Sequence, residues 1–448
     1  MASLIVDHRD VGGAFKRLSL PIAVQMLGDQ VLGVADTIAI GSLGSVALAG
    51  ATAANTVFIA MLYAAFGLTT GTSIVAAQYV GAQDISGFGR TVRAGVVAPL
   101  IAGIVALFVA SLWAEPIVHA LVGNLPSAGA GGAYLVLRCA SILPIAVTAT
   151  IVVGLGAAGN RIAGILVLLV INVVHIPLLL MLALGWWTHH PMGIAGAGLS
   201  SLLSETVGAI FIAIYAAYQR EYRIFESLSI SWPLAWRCAV LGFPEAIFLL
   251  GVMLPDILIV ALLAPLGPTA VSAFRALNVV SDLTFVLPSP LQAAAQIVIG
   301  QRLGARDAEG AQWFLRRAQR TAVAVTLAGG AVAAACAWPL AFLFTLNAQV
   351  ASIASLPLAL HMITLPIKGW AMVSLAPIRA SGDTRFSMVV GLVCAALVIP
   401  FAWLGIEKLH VGLYAVPLGW IAAWSVRALL TKLKLRDGGW LKREPLAA

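Results

Sequence analysis

This sequence is poor in charge. Asp, Glu, Lys and Arg make up 10% of its 448 residues, hydrophobic residues make up 61%, and the mean hydropathy is +1.00. A soluble domain carries roughly 25% charged residues. A chain this apolar cannot cover its surface with polar groups, which excludes a water-soluble globular protein and makes lipid much of its solvent. Negative charge is the scarcer sign: 18 acids stand against 26 bases, for a net charge of +8. In a membrane chain a basic excess is a topology signal, so it argues for no nucleic-acid partner. Cysteine is scarce too. Cys139, Cys238, Cys336 and Cys394 lie in or beside apolar segments without paired spacing, which argues against a disulfide framework and a cysteine metal site. The start, "MASLIVDHRDVGGAFKRLSL", lacks the unbroken apolar stretch of a secretory signal. No Gly-rich loop runs into Lys-Ser/Thr, so nothing cradles a nucleotide. No nucleophile–His–acid set and no metal-ligand set appears either. The expectation is a non-enzyme with no cofactor, driven by an ion gradient.

What is present is long apolar runs. Stretches of about 20 residues or more recur twelve times, near 17–39, 53–78, 94–114, 132–153, 162–184, 194–218, 239–263, 276–300, 321–344, 350–374, 386–406 and 411–431. The basic residues fall on alternate connections. Arg9, Lys16 and Arg17 precede the first span; Arg90 and Arg93 lie between the second and third, and Arg161 between the fourth and fifth. Arg220, Arg223 and Arg237 come after the sixth, and Arg302, Arg306, Arg316, Arg317 and Arg320 after the eighth. Arg379 and Arg385 follow the tenth, and 432–443 is a basic tail, while the opposite loops hold Lys408 and little else. This one-sidedness requires twelve spans with both termini cytoplasmic, because one miscounted span would scramble it. The setting expected is a bacterial inner membrane.

The chain also repeats itself at a constant offset of 223 residues. Pro21 pairs with Pro244, Gly28 with Gly251, Gly44 with Gly267, Asn55 with Asn278 and Gln78 with Gln301. "GAQD" at 81–84 meets "GARD" at 304–307, Gly159 meets Gly382, and Pro177 meets Pro400. Six spans per repeat is an even number, so the halves enter the membrane the same way, as parallel repeats about an axis along the membrane normal. The fold expected is an all-α polytopic membrane protein: twelve helices in two parallel six-helix repeats around a central cleft. The N-lobe covers 1–218 and the C-lobe 239–448, with 219–238 as a charged cytoplasmic linker. The seam between such halves is where a substrate cavity usually lies, and rocking of one half on the other gives alternating access. The "GAQD" and "GARD" turns, and "GN" and "GD" at 159–160 and 382–383, read as helix stops. Gly closes one helix and the Asn or Asp caps the next element. Gly and small residues in "GLTTGTS" and "GIAGAG" let helices approach closely.

Acids inside the spans are the candidate functional groups, because an ionised group at mid-membrane costs several kcal/mol unless protonated, paired or hydrated. Asp36 stands alone in "VADTIAIGSLG", with Asp29 seven residues earlier on nearly the same face of span 1. One buried carboxylate can hold a proton or an organic cation, and competition between the two gives antiport. The plainer reading of Asp36 is a structural carboxylate bonded to Asn172 or to a Ser or Thr. Asn172 offers an amide oxygen to a protonated acid or a cation. His175, a turn further on, could titrate, although a lone His near a helix end is more often just hydrogen-bonded. Glu205 could be a second titrating acid or pair with a base. Asp256 follows Pro255, which frees a backbone carbonyl and can bend the helix. Asp256, Asp282, Asp29 and Gln25 form a second candidate set for substrate. Glu245 at a helix start reads as a dipole partner, Arg138 as a buried pairing partner, and Lys368 as the same in the other half.

"VADTIAIGSLGSVALAGA", "GLTTGTSIVAAQYVGAQD", "GLGAAGNRIAG" and "GIAGAGLSSLLSE" resemble segments of the multidrug and toxic compound extrusion (MATE) transporters. "LLAPLGPTAVSAF", "IVIGQRLGARDAEGA" and "IRASGDTRF" resemble the second half of that pattern. The resemblance covers nearly the whole chain. It implies an exporter that trades inward H⁺ or Na⁺ for small organic, often cationic, substrates in a lipid setting, and we read it as a monomer. It places Asp36 on the family's cation-binding acid, with Asn172, Ser201 and Glu205 around it as the coupling set. The chain also departs from the family: in "NVVHIP" Ile176 stands where relatives carry an Asp, which favours H⁺ over Na⁺. A flippase of lipid-linked sugars, from the same wider superfamily, is the competing reading; it would need a large cationic cavity.

Overall fold

The computed structural model describes residues 11–123, 128–160, 162–187 and 189–446, without the side chains of 11, 12 and 14–16. Arg9 and Arg161, and the side chain of Lys16, therefore lie outside the described residues. Everything regular among those residues is helical. The first half holds α1 (Val11–Ser42), α2 (Ser45–Gly81), α3 (Ile85–Gly95), α4 (Val97–Val122), α5 (Ala128–Ala157), α6 (Ile162–Leu184) and α7 (Gly193–Tyr218). The second holds α8 (Trp232–Gly251), α9 (Leu254–Leu263), α10 (Pro268–Thr284), α11 (Pro288–Gly304), α12 (Ala308–Ala335) and α13 (Ala337–Thr345). It ends with α14 (Ala348–His361), α15 (Thr364–Ala380), α16 (Thr384–Trp403), α17 (Ala415–Arg436) and the short α18 (Gly439–Lys442). Ten helical stretches are long and apolar enough to cross a membrane, and twelve if α12–α13, bent by 67°, and α14–α15, bent by 42°, each count as one span.

Several boundaries differ from the sequence reading. α2 begins eight residues before the span expected at 53–78, because "SVALAGAT" is built of small, helix-compatible residues. The stretch 219–238 is not a linker throughout: it holds a single turn at Arg220–Tyr222, and α8 has already started at Trp232.

Three breaks in the second half stand just before a proline. Proline lacks the N–H that would close a helical turn, and its ring crowds the carbonyl four residues back. The break at 252–253 precedes Pro255, that at 285–287 precedes Pro288, and that at 362–363 precedes Pro366. At the offset of 223 the first half has Leu32, Ala65 and Leu143, and there α1, α2 and α5 run unbroken, α5 even with Pro144 inside it.

The chain divides into two compact units, 24–246 (the N unit) and 11–23 together with Ile247–Leu446 (the C unit). In the N unit α5 packs against α2, α4 and α7, and α6 against α7. Phe58, Leu135, Cys139, Ile142, Leu179 and Ala197 form its core. Close approach falls on the small residues: a Cβ on Gly71 would strike the Cys238 carbonyl of α8, and one on Gly196 the Leu182 carbonyl of α6. The C unit has its own core, around Leu263, Phe274, Leu358, Val398 and Val416.

The repeat is visible in the turns. Gly44 and Gly267 open α2 and α10 with φ of 113° and 99°, and Gly159 and Gly382 have φ of 85° and 86°. Asp84 Oδ1 accepts from Gly87 N at 2.7 Å and Asp307 Oδ1 from Gly310 N at 2.8 Å. Asn160 and Asp383 accept from Ala163 N and Phe386 N, both at 3.3 Å. In "GAQD" and "GARD", however, glycine is not the left-handed residue. Gly81 and Gly304 end their helices, and Gln83 and Arg306 turn left-handed with φ of 60° and 58°.

Candidate functional site

Three helices of the N unit bring Asp36, His175 and Ser204 together. Asp36 lies on α1, His175 on α6 two residues before Pro177, and Ser204 on α7. His175 Nε2 is 2.9 Å from Asp36 Oδ1, with the two side chains 3% and 14% exposed. Its other ring nitrogen, Nδ1, is 3.2 Å from Ser204 Oγ, and Ser204 Oγ is 3.0 Å from the Ser201 carbonyl.

Donor accounting shows what this chain of contacts can do. With one proton shared between Asp36 and His175, Nδ1–H donates to Ser204, whose hydroxyl donates to the Ser201 carbonyl. Without that proton, Nε2–H donates to the carboxylate and the Ser204 hydroxyl turns to donate to Nδ1. Either state leaves both ring nitrogens satisfied. An unsatisfied buried donor or acceptor costs about 1–3 kcal/mol, and both hydrogen-bonding arrangements avoid that cost at the ring nitrogens.

The remaining candidates sit around this core in different ways. Asn172 does not reach Asp36, because its Nδ2 donates to the Leu168 carbonyl of its own helix at 2.9 Å. Ser201 likewise bonds within α7, to the Ala197 carbonyl at 3.2 Å. The partner of Asp36 is thus the histidine that helix-end statistics favour as a bystander. Glu205 is within electrostatic reach of Arg138 on α5 and of Asp29 on α1. Arg138 also stacks its guanidinium 4.0 Å above the Phe58 ring. Gln25 packs its side-chain amide against Gly164 of α6. Ile176 is partly exposed and adds no carboxylate beside Asp36.

The C unit carries a different cluster. Asp256 on α9 takes a hydrogen bond from Asn278 on α10, and Asp256 and Asp282 both act electrostatically on Lys368 of α15. At the offset of 223, Asp36, His175 and Ser204 correspond to Ile259, Val398 and Arg427. The Asp36–His175–Ser204 triad therefore exists in one repeat and not in the other. A groove of about 590 Å³ along α12 and α15, lined by Arg316, Arg320, Leu327 and Trp370 among others, touches neither cluster.

A family model, MatE, matches residues 21–181 and again 244–404. The chain belongs to the MatE family. The two matches are themselves 223 residues apart, the offset of the internal repeat. Among curated relatives, the probable multidrug resistance protein NorM of Bradyrhizobium diazoefficiens is 27% identical over 90% of this chain and 88% of its own. The protein of that name from Caulobacter vibrioides is 25% identical over 96% and 92%. Among solved structures, a MOP superfamily transporter from Pyrococcus furiosus, described with a reverse polarity of its binding pocket, superposes with a TM-score of 0.89 at 22% identity over 98% of both chains. A MATE protein in complex with MaD3S gives 0.88 at 21% identity over the same shares. At that identity the structures establish the two-lobed MatE fold of this multi-pass membrane protein.

Proposed function

We propose that this MatE protein exports organic, amphiphilic cations in exchange for inward H⁺, with Asp36 as the group for which proton and passenger compete. The observation that carries the reading is the Asp36–His175 contact at 2.9 Å, continued to Ser204. A proton entering the pair neutralises the carboxylate, which then has no charge with which to hold a cation. A passenger's positive charge favours the ionised carboxylate and expels the proton. Alternating exposure of one carboxylate to the two sides of the membrane turns that competition into antiport. The relatives' printed role in multidrug resistance supports the substrate class. Asp36 faces an imidazole, and Ile176 adds no second carboxylate beside it, which supports H⁺ over Na⁺. The setting is a bacterial inner membrane, with a monomer whose termini are both cytoplasmic.

The test is transport of tetraphenylphosphonium in proteoliposomes under an imposed pH gradient. The wild type accumulates the probe against its gradient, and Asp36→Asn loses at least tenfold of that rate while keeping its thermal unfolding profile. A rate that follows Na⁺ at fixed pH overturns the choice of ion. Movement of lipid-linked sugars without movement of the cation overturns the export reading.

A further inference from the structure

The C unit holds a fully buried lysine whose neighbours are those of a cation-binding site. Lys368 is 2% exposed. Its Nζ lies 4.5 Å from the centre of the Phe285 ring and 5.6 Å from that of Trp424, and 3.4 Å from Ser281 Oγ. Ser281 Oγ in turn is 2.9 Å from His361 Nε2. Asp256 and Asp282 supply negative charge within electrostatic reach, yet the ammonium's direct contacts are a hydroxyl and two ring faces rather than a carboxylate. Asp256 Oδ1 and Trp424 Nε1 are buried with no hydrogen-bond partner among the described residues. Aromatic faces backed by carboxylates are the chemistry by which proteins recognise ammonium ligands. Here the occupant is covalently attached.

This arrangement belongs to the second repeat alone. The repeat mates of Ser281 and His361 are Phe58 and Arg138, which form the N unit's stacked pair, and the mate of Lys368 is Ile145. Leaving a lysine inside a membrane span is expensive unless its surroundings are arranged for a positive charge, and these surroundings are.

We propose that the pocket formed by Phe285, Trp424, Ser281, Asp256 and Asp282 is an ammonium-binding site, and that Lys368 is its tethered resident cation. With its own ammonium in place the C unit is closed to coupling ions and to cationic passengers. The proposal does not depend on the role given to Asp36, and its test reads stability instead of transport.

Lys368→Ala removes the resident ammonium and leaves a gap in which a short alkylammonium fits. The full-length protein in detergent is heated with increasing propylammonium, and with propanol as the uncharged control. Expected is a concentration-dependent rise in Tm of about 2 °C or more for Lys368→Ala with propylammonium. Propanol should give no such rise, and neither should propylammonium on the wild type or on Lys368→Ala/Asp256→Asn. Lys368→Ser, which leaves the same gap, replaces the alanine variant if the latter does not accumulate. No rise with either variant overturns the proposal, as does an equal rise in the wild type, which would place the amine elsewhere.

Discussion

At the scale of single residues, the proposed function makes His175 the group that separates holding a carboxylate from exchanging a proton with it. Its ring bridges Asp36 and Ser204 across three helices. Glutamine at 175 can still donate to Asp36, but it offers no second titrating nitrogen. We expect His175→Gln to lower pH-driven efflux about tenfold, which corresponds to ~1.4 kcal/mol on the barrier. Counterflow, in which labelled passenger exchanges for unlabelled passenger and no net proton moves, should stay within about twofold. Measuring both in one batch of proteoliposomes checks this, and unchanged pH-driven efflux would show His175 to be only a structural bond. As a lone acid in an apolar run, Asp36 was singled out by the sequence alone. Its partner was not. Spacing along α6 puts Asn172 and His175 on neighbouring faces, and only the rotation of α6 against α1 decides which of them meets the carboxylate. The same limit applies to Ser201 and Ser204, one turn apart on α7, of which the second reaches the histidine.

At the scale of elements, the turns repeat more faithfully than the chemistry they support. Asp84 and Asp307 cap α3 and α12 with nearly the same geometry, and loss of such a cap costs about 1 kcal/mol. The two are not equal in their other partners. Asp84 faces Arg90 at 3.9 Å with both side chains largely exposed. Asp307 holds Arg302 at 2.6 Å, and Arg302 is 3% exposed. An exposed pair contributes little, whereas removing one member of a buried pair is strongly destabilising. Asp307→Ala should therefore lower the Tm clearly more than Asp84→Ala, as read by thermal unfolding of the purified variants; equal shifts would mean that Arg302 finds another acceptor. The cap residues were legible from the "GAQD" and "GARD" strings, but the residue that turns left-handed was not. The glycine was expected there, and the chain instead places Gln83 and Arg306 in that conformation, one residue before the capping acid. Proline shows a partial case. Pro255, Pro288 and Pro366 sit in the sequence at three of the breaks of the second half, but Pro116 and Pro144 lie inside the unbroken α4 and α5, so proline alone does not set where a span breaks.

At the scale of the whole molecule, the count of spans rests on how the two bent pairs cross the membrane. Ten helical stretches suffice by length and apolarity alone, and α12–α13 and α14–α15 bring the number to twelve only if each pair crosses once. The charge pattern favours twelve. Arg316, Arg317 and Arg320 stand near the start of α12, and Arg379 and Arg385 at the end of α15 and the start of α16. Basic residues collect on the cytoplasmic side, so both outer ends of this four-helix stretch belong there. The turn between α13 and α14, at Leu346–Asn347, then lies on the far side, where no basic residue flanks it. If either pair were re-entrant, that turn would return to the cytoplasm or α16 would start outside, with Arg385 on the wrong face. In a chain with its four native cysteines replaced by alanine, a cysteine at Asn347 should react in intact cells with a membrane-impermeant maleimide. One at Ser381 should react only after the membrane is opened. Labelling of position 347 that also waits for permeabilisation would reduce the count to ten, and the second repeat would then lose the six-span parallel topology that its match to the first half requires.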